Sequence, residues 1–420
     1  MNKKIKLLIA PSDTLGVGHF RSIWPAQAIQ KNHSDEFDVE INGLVGLTNL
    51  DYLKQFDIIH FHRSLGSFEE FNKLSDELKK NGTILIMDMD DYWCPPSTHP
   101  MYEMVIKDKL AEKIENNLSH SDYVTTTTKL AADIMRKYNK NVEVMPNALN
   151  MEDKMWSDEH RSKMTDKLRI SWIGGSSHYN DLLNLQQSMI KLYNAPDLEG
   201  KFQIVMCGFD VRGTVTTIMP DGSTNIRKSL PEESIWNKFE HIFTNNYSGL
   251  KNREYVNWLT KLNKSDYPEQ DKQDYIRRWT LPLTQYAKHY DYADVCLSPL
   301  AEIEEIKTQS GSIQKVLHTF NYFKSELKII EAGMKKKALI AQDFGIYKEL
   351  LENNVTGILV NDNKDGWYKA MRKLILEPDF KQEITNNLHN FVKDKYNINA
   401  VTKNRIDFYK RVYNEKNNHI

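Results

Sequence analysis

The sequence predicts an α/β protein built from two doubly wound halves with parallel sheets. Short apolar strand signals alternate with helical patterns from Lys4 to Asn147, and the alternation restarts at Leu168. The first strand of each half runs into a glycine loop, PSDTLGVGH ending at His19 in one and Gly174-Gly175-Ser176-Ser177 in the other. The stretch from Asn321 to Val360 reads as helix, strand, helix, strand with hardly a spare residue.

Length and composition set outer bounds. The chain has 420 residues, 40% hydrophobic and 27% charged, which suits a globular protein of two domains or more. A formal net charge of −1 does not indicate a broad grip on nucleic acid, although it leaves room for a local basic patch. Cys94, Cys207 and Cys296 are odd in number and far apart, which points to a reducing, cytoplasmic setting and to neither a disulfide frame nor a zinc site. The apolar run at the N-terminus passes straight into charged sequence and reads as a first strand, not a signal peptide. No apolar run approaches the roughly 18–20 residues that span a bilayer. Abundant Lys, Asn and Ile hint at an AT-rich bacterial or phage genome.

In the first half, Lys4 to Ala10 is a strand and a helix follows the glycine loop from about Phe20 to Lys31. Gly16 and Gly18 let the backbone approach a ligand, and His19 and Arg21 sit at the helix start. The G-x-G-x-x-G pattern fails at Arg21. The nearest acid to the end of the second strand, Glu40, lies inside the alternating run Phe37 to Ile41, so a dinucleotide oxidoreductase is disfavoured. Asp57 to Arg63 is a buried strand with His60 and His62 on one side. No third metal ligand is visible nearby, and both count as core or cleft-edge histidines. Thr83 to Met87 is a strand that ends in Asp88, Asp90 and Asp91. Carboxyl ends of parallel strands are where such folds bind ligands. The cluster reads as a cleft-side group without metal, or as loop and helix capping. Helices over Tyr102 to Leu118 and up to Tyr138, and strands Asp122 to Thr126 and Val142 to Asn147, complete this half.

After a polar linker over 151–166, the second half opens with a strand, the Gly174 to Ser177 loop and a helix from about His178. Its next strand ends at Gly208. Asp210 to about Thr280 departs from the lean pattern and is rich in aromatics, among them Trp236, Phe239, Phe243, Tyr247, Tyr255, Trp258, Tyr267, Tyr275 and Trp279. It reads as an insertion, either packed locally or offering ring faces to a sugar or base. Pro282 to Tyr290 is a helix, Asp294 to Leu300 a strand, and Ala301 to Phe320 a loop over the cleft. Leu327, Ile330 and Met334 then form a helical stripe, with Lys324, Lys328 and Glu331 on a neighbouring face. Two cations and a carboxylate at a helix start suit a phosphorylated ligand; the alternative is a solvated face with a Lys328–Glu331 pair. Terminal helices cover Lys369 to Leu376, Asp379 to Lys393 and Val401 to Val412.

The run KSELKIIEAGMKKKALIAQDFGIYKELLENNVTGILV resembles the donor-site signature of the group 1, family 4-like glycosyltransferases of the GT-B fold. "GVGHFRSIWP", "VMPNALN", "WIGGSSHYNDL" and "YADVCLSPL" resemble further parts of that family. The resemblance implies two Rossmann-like domains facing a cleft. The first would cover 1–150, rejoined by a helix at about 400–420; the second would cover 167–399, with the insertion at about 210–280. It implies a nucleoside-diphosphate sugar as co-substrate, with no further cofactor and no metal, and retention of anomeric configuration. Glu331 matches the family's second donor-site glutamate, which binds the ribose. The first falls on Phe323, and Glu326 is acidic three residues away. Donor contacts are implied for Lys324, Ser325 and Lys328 at the diphosphate, and for Gly16, Gly18, Arg21, Gly174, Gly175, Ser176, Ser177, His178, Gly208 and Asn321 around it. Where this family often carries a histidine facing the reacting sugar, this chain has Asp88, Asp90 and Asp91. With His19 they are the candidates to orient the acceptor hydroxyl or take its proton. The expected acceptor is a cell-surface glycan or lipid carrier. Two other readings stay open. One is a phage enzyme acting on hydroxymethylated DNA bases, supported only by the insertion aromatics with Arg212, Arg227, Arg277 and Arg278. The other is a degenerate, non-catalytic nucleotide-sugar-binding module.

Overall fold

The computed structural model describes residues 3–14, 16–43, 49–63, 68–157, 165–210, 214–219, 223–228, 230, 233–244, 252–260, 270–307, 310–361 and 364–418. Its contacts divide the chain into two compact units. The first comprises Met1–Trp156, Glu302–Met334 and Asn390–Ile420; the second comprises Ser157–Ala301 and Lys335–His389. The segment Glu302–Met334, which sequence reading assigned to the second half, thus clusters with the first.

The first unit holds a six-stranded parallel sheet of β1 (Ile5–Ala10), β2 (Phe37–Ile41), β3 (Ile58–His62), β4 (Ile84–Met89), β5 (Tyr123–Thr126) and β6 (Val142–Val144), in the order β2-β1-β3-β4-β5-β6. Successive side chains of a strand point to opposite faces, and both faces here are covered. Leu8, Ile59, Phe61, Leu85 and Met87 pack on one side with Phe71, Leu74 and Leu78 of the helix Phe68–Asn81. Leu7, Ile9, Ile58, Ile84 and Ile86 pack on the other with Ala26 and Ile29 of the helix Trp24–Asn32. Ile406, Tyr409 and Val412 of the terminal helix Ile398–Asn417 join that second face. Toward the carboxyl ends of β3 and β4 the same face turns polar, with His60, His62, Asp88 and Asp90 continuing the register of Ile58 and Ile84.

That polar end is closed by a buried arginine. The helix after β1 passes from Gly16–Gly18 through one π-helical turn, His19–Ile23, into Trp24–Asn32. Pro25 has no N–H to give to the carbonyl four residues back, and Trp24 N–H reaches five residues back to the His19 carbonyl. Arg21, within this widened turn, is 1% exposed. It donates through Nε and Nη2 to the two Asp88 oxygens at 2.9 and 2.7 Å, and through Nη1 to the Met145 carbonyl at 2.7 Å.

The second unit holds β7 (Leu168–Ile173), β8 (Phe202–Phe209), β9 (Tyr275–Trp279), β10 (Val295–Ser298), β11 (Ala338–Gln342) and β12 (Ile358–Val360). All are parallel, in the order β9-β8-β7-β10-β11-β12. Ile170, Ile204, Leu297 and Ile340 face Leu182, Met189, Leu192, Trp367 and Met371. The inserted region contributes a strand of the sheet, Tyr275–Trp279, and two helices, Ile235–Thr244 and Arg253–Thr260. Trp236, Phe239, Phe243 and Tyr255 are buried in the same core, with Trp258 and Trp279 packed against it. The insertion aromatics are therefore packing residues; Tyr247 and Tyr267 lie outside the described residues. Ala301 to Phe320, expected as a loop, contains an antiparallel hairpin of Ile303–Lys307 with Ile313–Leu317. No helix among the described residues is long and apolar enough to cross a membrane.

Removing one partner of a buried ion pair leaves the other charge stranded, at a typical cost of 3–5 kcal/mol. Urea unfolding of Arg21→Ala is expected to show a loss of about 3–5 kcal/mol in the first unit, and an Arg21→Met/Asp88→Leu double variant a smaller one. Equal losses in the two variants would show that the stranded carboxylate is not the cause.

Candidate active site

In an open parallel sheet, ligands bind beyond the carboxyl ends of the strands where the strand order reverses. In the first unit that point lies between β1 and β3, which are neighbours although β2 separates them in sequence. Ser12 follows β1, and His62 closes β3. Ser12 Oγ stands 2.6 Å from His62 Nδ1, and His62 Nε2 stands 3.0 Å from Asp90 Oδ1, just past β4. Arg63 donates to the same Asp90 oxygen through Nη2 at 2.9 Å. Arg63 sits at φ 63°, a left-handed conformation that costs a non-glycine residue roughly 1–2 kcal/mol. Its N–H bond to the Asp88 carbonyl at 2.9 Å holds it there, so local strain serves to turn the guanidinium onto Asp90.

The acidic cluster divides by partner. Asp88 is 1% exposed and engaged by Arg21 and the Thr125 hydroxyl. Burial would push its carboxyl up, but the Arg21 charge and hydrogen bonds, with His60 and His62, outweigh this and hold it well below the usual carboxylate range. The same balance holds for Asp90: burial opposes ionisation, while Arg63 and His62 draw the carboxyl well below its ordinary value. Both carboxylates are therefore ionised and matched by buried or half-buried cations. Neither suits the proton-accepting role expected for it, because a base held so low takes up no proton near neutrality. Asp91 is more open and lies 3.7 Å from Lys324 Nζ. Arg21, expected at the donor, is instead the internal partner of Asp88. His60, two residues before His62, bonds the Tyr409 hydroxyl and Thr125 Oγ1, and burial lowers its pKa to about 3. It is a neutral core histidine, as one of the two sequence alternatives had it.

The glycine loop has a partner of its own. Gly18 N–H donates to Asp13 Oδ1 at 3.1 Å, and Ser12 Oγ donates to Asp13 Oδ2 at 3.0 Å. A Cβ on Gly18 would lie 1.8 Å from the Asp13 carbonyl oxygen, so only glycine fits that turn. No comparable crowding surrounds Gly16. His19 is half-buried, its ring 5.5 Å from that of Trp24.

The helix Leu327–Met334 enters the same unit. Lys324 precedes it, near Asp91 and with Nζ 4.1 Å from the centre of the Phe320 ring. Lys328 donates to Glu331 Oε2 at 3.1 Å, with Glu331 2% exposed and Lys328 partly open. Phe323, where the family places its first glutamate, stacks at a tilt on Tyr92 with ring centres 5.6 Å apart. Glu326 is 1% exposed and turns inward: its Oε1 accepts the Asn147 N–H at 2.6 Å, and its Oε2 has no hydrogen-bond partner among the described residues. Asn321 is buried, its N–H on His318 Nδ1 at 3.3 Å, and Ser325 is half-buried.

The second unit has its own switch point, between β7 and β10. A Cβ on Gly208, at φ 98°, would come within 2.4 Å of the Gly174 carbonyl oxygen, so this glycine lets two strand ends meet. Gly175 and Ser177 are exposed, and Ser176 opens a single 3-10 turn, Ser176–His178. His178 Nδ1 lies 2.7 Å from Asp181 Oδ2, and Asp181 Oδ1 accepts the Ala301 N–H at 2.7 Å. Of the four arginines considered for a DNA substrate, Arg277 is 4% exposed, paired with Glu240 and set over the Phe209 and Trp258 rings. Arg278 lies over Tyr292, Arg227 pairs with Glu233, and Arg212 lies outside the described residues. The described three do not form a basic surface patch.

Ser12, Asp13, His62 and Arg63 are the residues that sequence reading did not place in a site. The available signal was the position of His62 at the end of a strand bordering the glycine loop. Nothing local in the sequence says that Asp90 turns toward it.

No protein-family model matches the sequence, and no curated protein matches it. Solved structures do match in fold. Sucrose-phosphate synthase from Thermosynechococcus elongatus is 12% identical, with a TM-score of 0.56 over 99% of this chain and 100% of that one. HepE from Anabaena in complex with UDP-glucose is 10% identical, with a TM-score of 0.56 over 97% and 99%. A glycosyltransferase from Rickettsia africae is 13% identical, with a TM-score of 0.57 over 98% and 99%. The fold is that of the GT-B glycosyltransferases, with two Rossmann-like units in one chain.

Burial raises the Glu326 carboxyl from 4.5 to about 7. A carboxyl whose folded value lies above its unfolded one favours folding when protonated, so stability falls as pH rises from about 4.5 through about 7. Glu326→Gln keeps an oxygen for Asn147 and cannot ionise. Measured by urea unfolding at pH 5 and pH 8, the variant is expected to gain on the parent chain by about 1–3 kcal/mol across that interval. A constant difference between the two pH values would contradict the shift.

Proposed function

We propose that the chain is a glycosyltransferase that takes a sugar from a nucleoside-diphosphate sugar and passes it to an acceptor hydroxyl on a cell-surface glycan or lipid carrier. The observation that carries this reading is the Lys328–Glu331 pair on the first turns of Leu327–Met334, with Lys324 just before it. Amide groups at a helix start attract anions, and two lysines there add charge where a leaving diphosphate becomes more negative. Glu331, buried and tied to Lys328, is a fixed acceptor for the ribose hydroxyls. The GT-B fold supports the reading, and so does the complex of HepE with UDP-glucose, which is a property of that protein.

Phe323 in place of the first glutamate leaves donor-sugar recognition to other groups. The proposal includes retention of anomeric configuration, no cofactor beyond the nucleotide sugar and a cytoplasmic place of action.

Release of nucleoside diphosphate from a panel of UDP- and GDP-sugars tests the reading. Lys328→Ala is expected to lower kcat/KM on the order of 10²-fold, the usual effect of deleting one fixed group that meets developing charge, while the variant still melts cooperatively. Unchanged kcat/KM in a folded Lys328→Ala would remove Lys328 from this role. UDP binding without turnover of any donor would favour a binding module.

A further inference from the structure

We propose that Ser12, His62 and Asp90 form a proton relay at the switch point of the first sheet, and that Ser12 is the group that touches the acceptor hydroxyl. The inference rests on the transferase reading above and names a base for it. Three observations meet here. Ser12 Oγ lies 2.6 Å from His62 Nδ1 and is exposed, while His62 is 0% exposed and Asp90 7%. Asp90, ionised, only accepts hydrogen bonds, so His62 Nε2 carries a hydrogen; the single Ser12 hydrogen can turn to Asp13 Oδ2 at 3.0 Å or to His62 Nδ1 at 2.6 Å, and the relay uses the second position. Arg63 holds Asp90 from the other side, which fixes the carboxylate and with it the imidazole.

The arrangement is directional. A buried imidazole reaches the surface through one exposed hydroxyl, and that hydroxyl stands beside Asp13 and the glycine loop. The charged groups around the relay are Asp90 and Arg63 at its inner end and Asp13 at its outer end. Asp88 and Arg21 lie on the neighbouring strand and helix. On the same unit, Lys324 stands 3.7 Å from Asp91, next in sequence to Asp90, so the lysine-bearing helix start and the relay share the β4 terminus.

The step balances without a further reactant. The acceptor oxygen bonds to the anomeric carbon as the bond from that carbon to the diphosphate oxygen breaks, and the electron pair leaves with the nucleoside diphosphate. The acceptor proton passes to Ser12 Oγ while the Ser12 proton passes to His62 Nδ1. The imidazolium, stabilised by Asp90, returns its proton to solvent through Ser12. The relay does not by itself select the anomeric outcome.

The test uses the full chain with UDP-glucose as first donor, the rest of the panel after it, and methyl glucosides as alcohol acceptors. UDP binding is measured alongside by calorimetry. Ser12 is exposed, so Ser12→Ala should fold. It is expected to lose at least about tenfold in kcat with UDP affinity unchanged, and Ser12→Thr, which keeps the hydroxyl, to regain most of the loss. His62→Gln should lose roughly 10²–10⁴-fold, the usual contribution of a positioned base. A Ser12→Ala variant with parental kcat overturns the relay while the transferase reading stands. So does a Ser12→Thr variant no better than Ser12→Ala. If the parent chain neither binds UDP nor turns over any donor, the transferase reading falls, and the relay with it.

Discussion

Arg21 and Asp88 meet in the interior of the first unit with two hydrogen bonds between them, and the layout of the site follows from that pair. A buried arginine and a buried aspartate are each costly alone, so their geometry is tightly constrained once they are paired. Nη1 on the Met145 carbonyl and the Thr125 hydroxyl on Asp88 tie β4, β5 and the segment after β6 to the helix that follows β1. The π-helical turn before Pro25 lets Arg21 make these contacts while its neighbours remain on the helix. With Asp88 consumed, the next carboxylate on the same face, Asp90, is the one left to meet β3. The pair therefore divides the acidic run into an internal member, a middle member on His62, and an outer member on Lys324.

Much of the architecture was legible because strands buried on both faces are written as apolar runs between turn residues. Lys4 to Ala10 matches the strand Ile5–Ala10, and Asp57 to Arg63 the strand Ile58–His62, within one residue at each end. The failures have identifiable causes. The hairpin at Ile303–Lys307 and Ile313–Leu317 has few buried side chains, so it carries no inside-outside alternation to read. The strand Tyr275–Trp279 was hidden within an aromatic stretch, because aromatics serve insertion packing and sheet core alike.

The site was legible as a set of loops but not as a set of partners. Glycine next to a helix start announces a place where backbone can meet an anion. It does not announce that Gly208 is there to clear the Gly174 carbonyl, or that the Gly18 amide already faces Asp13. Glu326 shows the limit most clearly. In sequence it is an acid three residues out of register from the position that Phe323 takes. In the fold it points inward to the Asn147 N–H and is pushed toward neutrality by burial. Charge in a sequence is a count, whereas its function depends on which groups desolvate it and which ones answer it.

The position of the histidine follows from the same reasoning. The family resemblance places a histidine at the end of β4 that faces the reacting sugar, and this chain has carboxylates there. A carboxylate held low by an arginine cannot exchange protons near neutrality, so the replacement looks like a loss of chemistry. The register of β3 against β4 sets His62 beside Asp88, and Asp90 two residues on then reaches the His62 ring. An imidazole with its carboxylate partner is thus present at the same end of the sheet, displaced by one strand. It reaches solvent through a serine that the glycine loop supplies. The acidic run is in this sense the inner half of a histidine site, and the strained Arg63 that faces it is the residue that keeps it so.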